Sequence, residues 1–199
     1  MSHMLVKSIL TIPNLLTILR IVGAVSMLFI KKYTMLFYIV FTLCGISDLL
    51  DGFIARRTNT VSEFGSRLDS AADLLCYTVV LLRMLPDLWV QVPMKVWYLL
   101  WTTMLLRVIS YGGVVLRYHR LASMHTYLNK LTGFLTFILL YFINRPPLAV
   151  AAFLAVLAAF ISALEELLIY LYLGGYPEES VQSFAAAIRL KKKRRQAEA

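Results

Sequence analysis

The chain has 199 residues, of which 60% are hydrophobic and only 16% charged, and its formal net charge is +9. A soluble domain carries about a quarter charged residues, so this composition excludes an ordinary soluble core and points to an integral membrane protein. Nor does the positive balance indicate nucleic acid: the basic residues sit at the ends of apolar segments, where membrane topology is written, rather than in an aromatic-interleaved surface.

In chain order, Met1–Met4 reads as an expression-tag remnant, so His3 carries no functional weight. No cleavable leader is expected, since Lys7 and Pro13 precede a run that continues as a full span. Met4–Ile12 is expected as a short interfacial helix. Six stretches are then long enough to cross a bilayer: Asn14–Ile30, Tyr33–Ala55, Ser66–Leu85, Val96–Tyr118, Tyr127–Ile143 and Leu148–Leu173. Lys31-Lys32, the polar run Arg56–Phe64, Pro86 to Pro93, Arg117–Thr126 and Asn144-Arg145-Pro146-Pro147 separate them. Spacing this close leaves no room for a second domain, so residues 1–199 are expected as one all-α membrane domain. Cys44 and Cys76 lie inside apolar runs without a CxxC partner and read as buried, reduced thiols.

Six spans put both termini on one side. The positive-inside rule assigns that side to the cytoplasm, where Lys7, Arg56, Arg57, Arg117, Arg120 and the run Arg189–Arg195 would lie. The other side receives Lys31, Lys32, Lys95 and Arg145, with Arg83 near it. A bacterial-type inner or plasma membrane is the expected location. In the tail, residues 177–199, an amphipathic stretch after Pro177 leads into "RLKKKRR", expected to anchor on anionic headgroups.

The stretch Ser47–Asp73 holds four aspartates at one membrane edge. Asp48 and Asp51, three apart, share one face of a helix, and Gly65, Asp69 and Asp73, four apart, line one face of the next. Carboxylates in membrane helices need a cavity, a partner or an ion, and four together repel strongly without a cation. An acidic group held neutral, or salt-bridged to Arg56, Arg57 and Arg67, is one solution. A divalent metal is the better one, because hard oxygen ligands suit magnesium, manganese or calcium and a His/Cys cluster for zinc is missing. Gly52, Ala55 and Gly65 offer either close helix packing or close backbone approach to a ligand. Arg56 can offer a bidentate fork to phosphate. Metal, small residues and arginine together describe a diphosphate site.

The pattern Asp48-x2-Asp51-Gly52-x2-Ala55-Arg56-x8-Gly65-x3-Asp69-x3-Asp73 resembles, without a substitution, the signature of the CDP-alcohol phosphatidyltransferase family. The opening "IPNLLTILRI" and the six-span layout are also similar to bacterial members. The resemblance implies transfer of a phosphatidyl group from CDP-diacylglycerol to an alcohol with release of CMP, at the cytoplasmic membrane boundary, and it suggests a homodimer. It further implies two divalent ions, Mg2+ or Mn2+, held by Asp48, Asp51 and Asp69. Asp73 would complete the site and serve as general base. Gly52, Ala55, Arg56 and Gly65 would cradle the CDP portion. Asn14 and Thr17 would lie near the nucleotide or else cap the helix after Pro13, and Arg20 is expected to support an aspartate.

The acceptor is written more faintly. Arg107 lies inside an apolar stretch where an unpaired guanidinium is costly. With Arg117 and Lys130 it could bind the phosphate of a phosphorylated alcohol, which favours glycerol 3-phosphate, with inositol phosphate next, over an uncharged polyol such as inositol, or over serine. The Arg107 and Arg117 spacing resembles phosphatidylglycerophosphate synthases, whereas "HTYLNKLTGF" departs from their lysine-rich opening at the fifth span. His119 and His125 fit a solvated loop. Glu165 and Glu166 are expected to face a partner helix, a cavity or a dimer contact. The rival class, a membrane metal or proton transporter, accounts for the acids but not for the Gly52–Ala55–Arg56–Gly65 set.

Overall fold

A computed structural model describes residues 12–57, 62–118, 126–173 and 183–197; the side chains of residues 49, 52, 53, 55, 56, 117, 118 and 193–197 lie outside the description. Every element among the described residues is helical. The order is α1 (Ile12–Phe29), α2 (Met35–Arg57), α3 (Glu63–Gln91), α4 (Met94–Tyr118), α5 (Tyr127–Leu139) with a 3-10 turn (Leu140–Phe142), α6 (Leu148–Leu173) and α7 (Phe184–Ala197). The chain divides into two compact units, one ending at Asp87 and one starting at Leu88.

Lengths and apolarity single out α1, Met94–Leu116 of α4 and α6 as helices able to cross a membrane, with Met35–Asp48 and Tyr127–Phe142 as shorter apolar helices. The third expected span is the odd one: α3 carries Glu63, Arg67, Asp69, Asp73, Arg83 and Asp87 along its length. Its boundary also differs from expectation. Instead of stopping at Leu85, the helix runs through Pro86 to Gln91, because one missing N–H at an exposed position removes a single rung and Val92 N–H still donates to the Leu88 carbonyl at 2.9 Å. The sharp break falls at Pro93. Ile12, the last residue of the expected interfacial helix, opens α1; the rest of Met4–Ile12 lies outside the described residues, as do His119, Arg120 and His125.

In the first unit, α1 packs along α2. The buried residues of α1 are Pro13, Asn14, Thr17, Arg20, Ala24 and Met27, a three-to-four spacing that marks one face. The opposite face is exposed and apolar, with Leu15, Leu19, Val22 and Phe29. Polar residues inside and apolar residues outside invert the soluble pattern, as expected where the surrounding solvent is hydrocarbon. Gly23 lets the two helices close: a Cβ there would stand 2.7 Å from Cys44 Sγ. Cys44 is a buried free thiol, as expected, and Cys76 is a half-buried one.

At the far end of this unit α3 is tied to the α1–α2 turn. Arg83 donates to the Ile30 carbonyl. Lys32 Nζ and Tyr33 Oη donate to Asp87 Oδ2 at 2.5 Å and 2.6 Å. Tyr33 takes a left-handed φ of 66° to make this turn, and Lys32, followed by the Tyr33 hydroxyl, holds the Asp87 carboxyl below its ordinary value.

In the second unit, α6 packs against α4 and α5, and α7 against α6. Ala152, Ala155, Ala158, Ser162 and Ala163 form the buried stripe of α6, small side chains that let membrane helices approach. Thr126 caps α5 by accepting from Asn129 N–H at 3.2 Å. The tail helix begins at Phe184; Phe184 meets Tyr172 edge-to-face with ring centroids 5.5 Å apart, and Lys191 Nζ lies 4.3 Å from the centroid of the same Tyr172 ring.

Two outcomes test this packing. Gly23→Ala is expected to lower stability in detergent by about 1–3 kcal/mol through overpacking, and adding Cys44→Ala, which removes the sulfur it would meet, should restore most of the unfolding temperature. Because the Asp87 carboxyl is held low, its stabilisation is present above the ordinary carboxylate pKa and fades as pH falls through the lower folded value. Asp87→Asn should therefore cost about 0.5–1 kcal/mol at neutral pH, with the difference from the parent shrinking in unfolding curves recorded below about pH 4.

Candidate active site

The four aspartates converge within the first unit. Asp48 and Asp51 project from the last turns of α2, and Asp69 and Asp73 from the first turns of α3. One carboxylate oxygen each from Asp48, Asp51 and Asp69 lie within 4.8 Å of one another. Asp51 is buried, while Asp48, Asp69 and Asp73 are half-buried and so remain open on one side.

Arg20 of α1 sits at the centre. Its Nη1 lies 3.2 Å from Asp48 Oδ1, 3.0 Å from Asp69 Oδ1 and 2.5 Å from Asp73 Oδ1, while Nη2 donates to Asp51 Oδ2. Nε reaches Ser47 Oγ at 3.4 Å. The side chain is only 1% exposed. The sequence placed Arg20 beside one aspartate; it serves four. Asn14, Thr17 and Arg20, each three apart on a helix, carried the signal for a common polar face. Ser47, which the sequence did not single out, belongs to the same cluster.

Thr17 Oγ1 lies 3.2 Å from Asp51 Oδ2 and 3.0 Å from the Pro13 carbonyl, so its hydroxyl ties the carboxylate to the helix start. Asn14 is buried beside Gly65, where an added Cβ would stand 2.9 Å from Asn14 Oδ1. Gly65 N–H donates to Ser62 Oγ at 3.0 Å. These contacts put Asn14, Thr17 and Gly65 together with the aspartates. Gly52, Ala55 and Arg56 lie on α2 in the turn beyond Asp51, with side chains outside the description. Arg67, weighed as a salt-bridge partner of the cluster, instead pairs with Glu63 at 2.5 Å on the surface.

Charge accounting decides what the cluster can do. Four carboxylates face one guanidinium among the described side chains, leaving three negative charges uncompensated when all are ionised. An all-carboxylate, partly open donor set fits a hard divalent cation.

The second unit holds a different polar cluster. Arg107 Nη1 lies 3.1 Å from Tyr111 Oη and 3.4 Å from Glu166 Oε2, and Nη2 donates to Asn129 Oδ1 at 2.8 Å. Tyr111 Oη donates to Glu166 Oε2 at 3.0 Å. Asn129 Nδ2 donates to Glu166 Oε1, and Ser162 Oγ donates to Asn129 Oδ1 at 2.8 Å. Glu166 thus faces partner helices, one of the expected alternatives, and Glu165 accepts from Phe184 N–H at 3.0 Å. Tyr111, Asn129 and Ser162 were not singled out from the sequence. Lys130 is exposed on α5, its Nζ 5.8 Å from the Tyr127 ring. Arg117 is in the last turn of α4 with its side chain outside the description.

Comparison with known proteins bears on this geometry. A family model described as CDP-alcohol phosphatidyltransferase matches residues 10–168. The chain is 40% identical over 81 residues to a CDP-diacylglycerol–glycerol-3-phosphate 3-phosphatidyltransferase of Rickettsia bellii, covering 36% of this chain and 44% of that protein. It is 32% identical over 74 residues to a CDP-diacylglycerol–serine O-phosphatidyltransferase of Methanocaldococcus jannaschii, covering 37% and 34%. Against the human cardiolipin synthase (CMP-forming) the figures are 33% identity over 119 residues, covering 58% and 38%. These matches thus span between 34% and 44% of the relatives' own length. No solved structure matches the chain.

The Arg107–Glu166 pair has a direct test. Arg107→Ala leaves Glu166, 1% exposed, without its cation, and should cost about 3–5 kcal/mol in detergent unfolding. The double change Arg107→Ala with Glu166→Gln should recover part of that loss, because the stranded charge is gone.

Proposed function

Since the chain belongs to the CDP-alcohol phosphatidyltransferase family, we propose that it transfers a phosphatidyl group from CDP-diacylglycerol to the hydroxyl of an alcohol and releases CMP. The observation that carries this reading is the convergence of Asp48, Asp51 and Asp69 to within 4.8 Å, with Asp73 joined to them through Arg20.

Asp48, Asp51 and Asp69 would hold two divalent ions, Mg2+ or Mn2+, with Asp73 closing the site. Ions bound there supply neutralising charge for the diphosphate under attack and for the departing CMP. The remaining work falls to side chains. Asp73 takes the proton of the acceptor hydroxyl as its oxygen bonds to the phosphorus on the lipid side, and the bond from that phosphorus to the CMP oxygen breaks. Thr17 holds Asp51 in place, and Gly52, Ala55 and Gly65 keep the CDP pocket free of bulk. Arg56 forks onto phosphate, and Asn14 lines the nucleotide end next to Gly65.

The acceptor read as most favoured is glycerol 3-phosphate, with inositol phosphate, inositol and serine as alternatives. Arg107, Arg117 and Lys130 would bind its phosphate, Arg107 doing so with its charge already shared with Glu166. A relative named for glycerol 3-phosphate supports the first of these acceptors, and one named for serine supports the last. The whole chain reads as one membrane domain of six spans, with α3, Met35–Asp48 and Tyr127–Phe142 completing the three long apolar helices. Both termini would be cytoplasmic in a bacterial-type membrane, with the site at that boundary and the chain paired as a homodimer.

The deciding experiment measures CMP release by the purified full chain with CDP-diacylglycerol, Mg2+ or Mn2+, and a panel of alcohols. Release is expected with glycerol 3-phosphate above the others. Asp69→Asn and Asp73→Asn should each lower turnover at least about 100-fold while leaving helicity unchanged. Metal flux into liposomes with no CMP from any alcohol would instead identify a transporter.

A further inference from the structure

Taking Asp48, Asp51 and Asp69 as the divalent centre, we propose that Arg20 is a built-in competitor of the cation, a positioning residue that holds the divalent affinity of the site down. The guanidinium touches every carboxylate of the cluster, at 3.2 Å from Asp48, 3.0 Å from Asp69 and 2.5 Å from Asp73, and it donates to Asp51 as well. A cation held by the three converging carboxylates therefore lies within a few ångströms of a fixed positive charge.

Arg20 is also seated so that it stays. It is 1% exposed, its Nε reaches Ser47 Oγ at 3.4 Å, and its own carbonyl accepts from the Cys44 thiol at 3.8 Å. Swinging away would carry an unpaired guanidinium into the apolar surroundings of α1, which is costly. It therefore shares the carboxylates with the bound cation and repels it. Asp73 lies 2.5 Å from Arg20 Nη1, yet it stands outside the converging triad. The single positive charge is divided among four carboxylates, so the triad keeps enough negative charge to bind a divalent ion. An arginine acting only as a packing pin between helices predicts no change of metal affinity in that direction.

Mn2+ titration of the full chain in detergent, read by calorimetry and by the free-ion spin resonance signal, separates the two. Arg20→Gln removes the charge and should tighten Mn2+ binding at least about tenfold, the order expected from a unit charge a few ångströms from a divalent ion. Arg20→Lys keeps the charge and should stay within about threefold of the parent. Should Arg20→Gln fail to fold, the same comparison is made between Asp73→Asn and Arg20→Gln/Asp73→Asn, where one repelling carboxylate is gone; the double variant should again bind more tightly. Unchanged or weaker Mn2+ binding after loss of the charge, with parent binding intact, overturns the competitor role and leaves the metal centre standing. Absence of Mn2+ binding in parent and variants alike overturns both. Binding that shows only after Arg20→Gln is the competitor role at its strongest.

Discussion

A guanidinium buried among apolar helices dictates most of the first unit. Two unit charges 4 Å apart in a partly screened site interact by about 4 kcal/mol, and an unpaired arginine in such surroundings is costly. Arg20 must therefore meet carboxylates, and the carboxylates come from α2 and α3, which the sequence brings back to it from 28 to 53 residues further on. The register of α1 follows: Asn14, Thr17, Arg20, Ala24 and Met27 all turn inward. So does the spacing of α1 from α2. The bare Gly23 against Cys44 brings α2 near enough for Ser47, Asp48 and Asp51 to reach the guanidinium. One close approach in the packing thus fixes distances in the site one turn away.

The same constraint explains why the helices are inside out. Apolar burial gives little drive to associate when the outside is as apolar as the inside, and exposed residues such as Phe29, Met35, Val90 and Leu116 need no cover there. Association then rests on small residues and polar ties. In the first unit the ties are Arg20 at one end of α3 and Arg83 with Asp87 at the other. In the second, α6 brings an alanine stripe and a single buried Glu166 that links α4 and α5. α3, with six charged residues on a long helix, is the extreme case: Asp69, Asp73, Arg83 and Asp87 make its tertiary ties, and Glu63 and Arg67 pair with each other on the surface.

Much of this was legible from spacing. Asp48 and Asp51 on one helical face, with Asp69 and Asp73 on the next, predicted a meeting of carboxylates, and Asp48, Asp51 and Asp69 do meet. Asn14, Thr17 and Gly65, read as residues on the nucleotide side, stand beside the aspartates. What escaped was how many partners a buried charge gathers: Arg20 was expected beside one aspartate and meets four, and the partners of Arg107 and Glu166 were not foreseen. Arg20 and Asp69 are 49 residues apart and Arg107 and Glu166 are 59 apart, and no periodicity connects such pairs. Tyr111, Asn129 and Ser162 look like ordinary helix residues until a buried carboxylate faces them. The end of α3 was misjudged for a local reason: Pro86 reads as a breaker, but a helix loses only one rung at an exposed proline and the stop waits for Pro93.

The two polar clusters differ in a way that bears on chemistry. Around Glu166 one carboxylate meets one guanidinium, and Tyr111, Asn129 and Ser162 fill the remaining hydrogen-bonding positions. A balanced, satisfied network of this kind fixes helices relative to one another. Around Arg20 four carboxylates share one guanidinium, and hydrogen bonds cannot remove the excess negative charge. Such an excess is relieved by protons or by a cation, and three of the four carboxylates keep an open side through which a cation can enter. A protein that merely needed to hold α1, α2 and α3 together could have done so with the balanced arrangement found in its second unit. Keeping the charge unbalanced has a structural cost, and the proposed transfer reaction would be a sufficient reason to bear it.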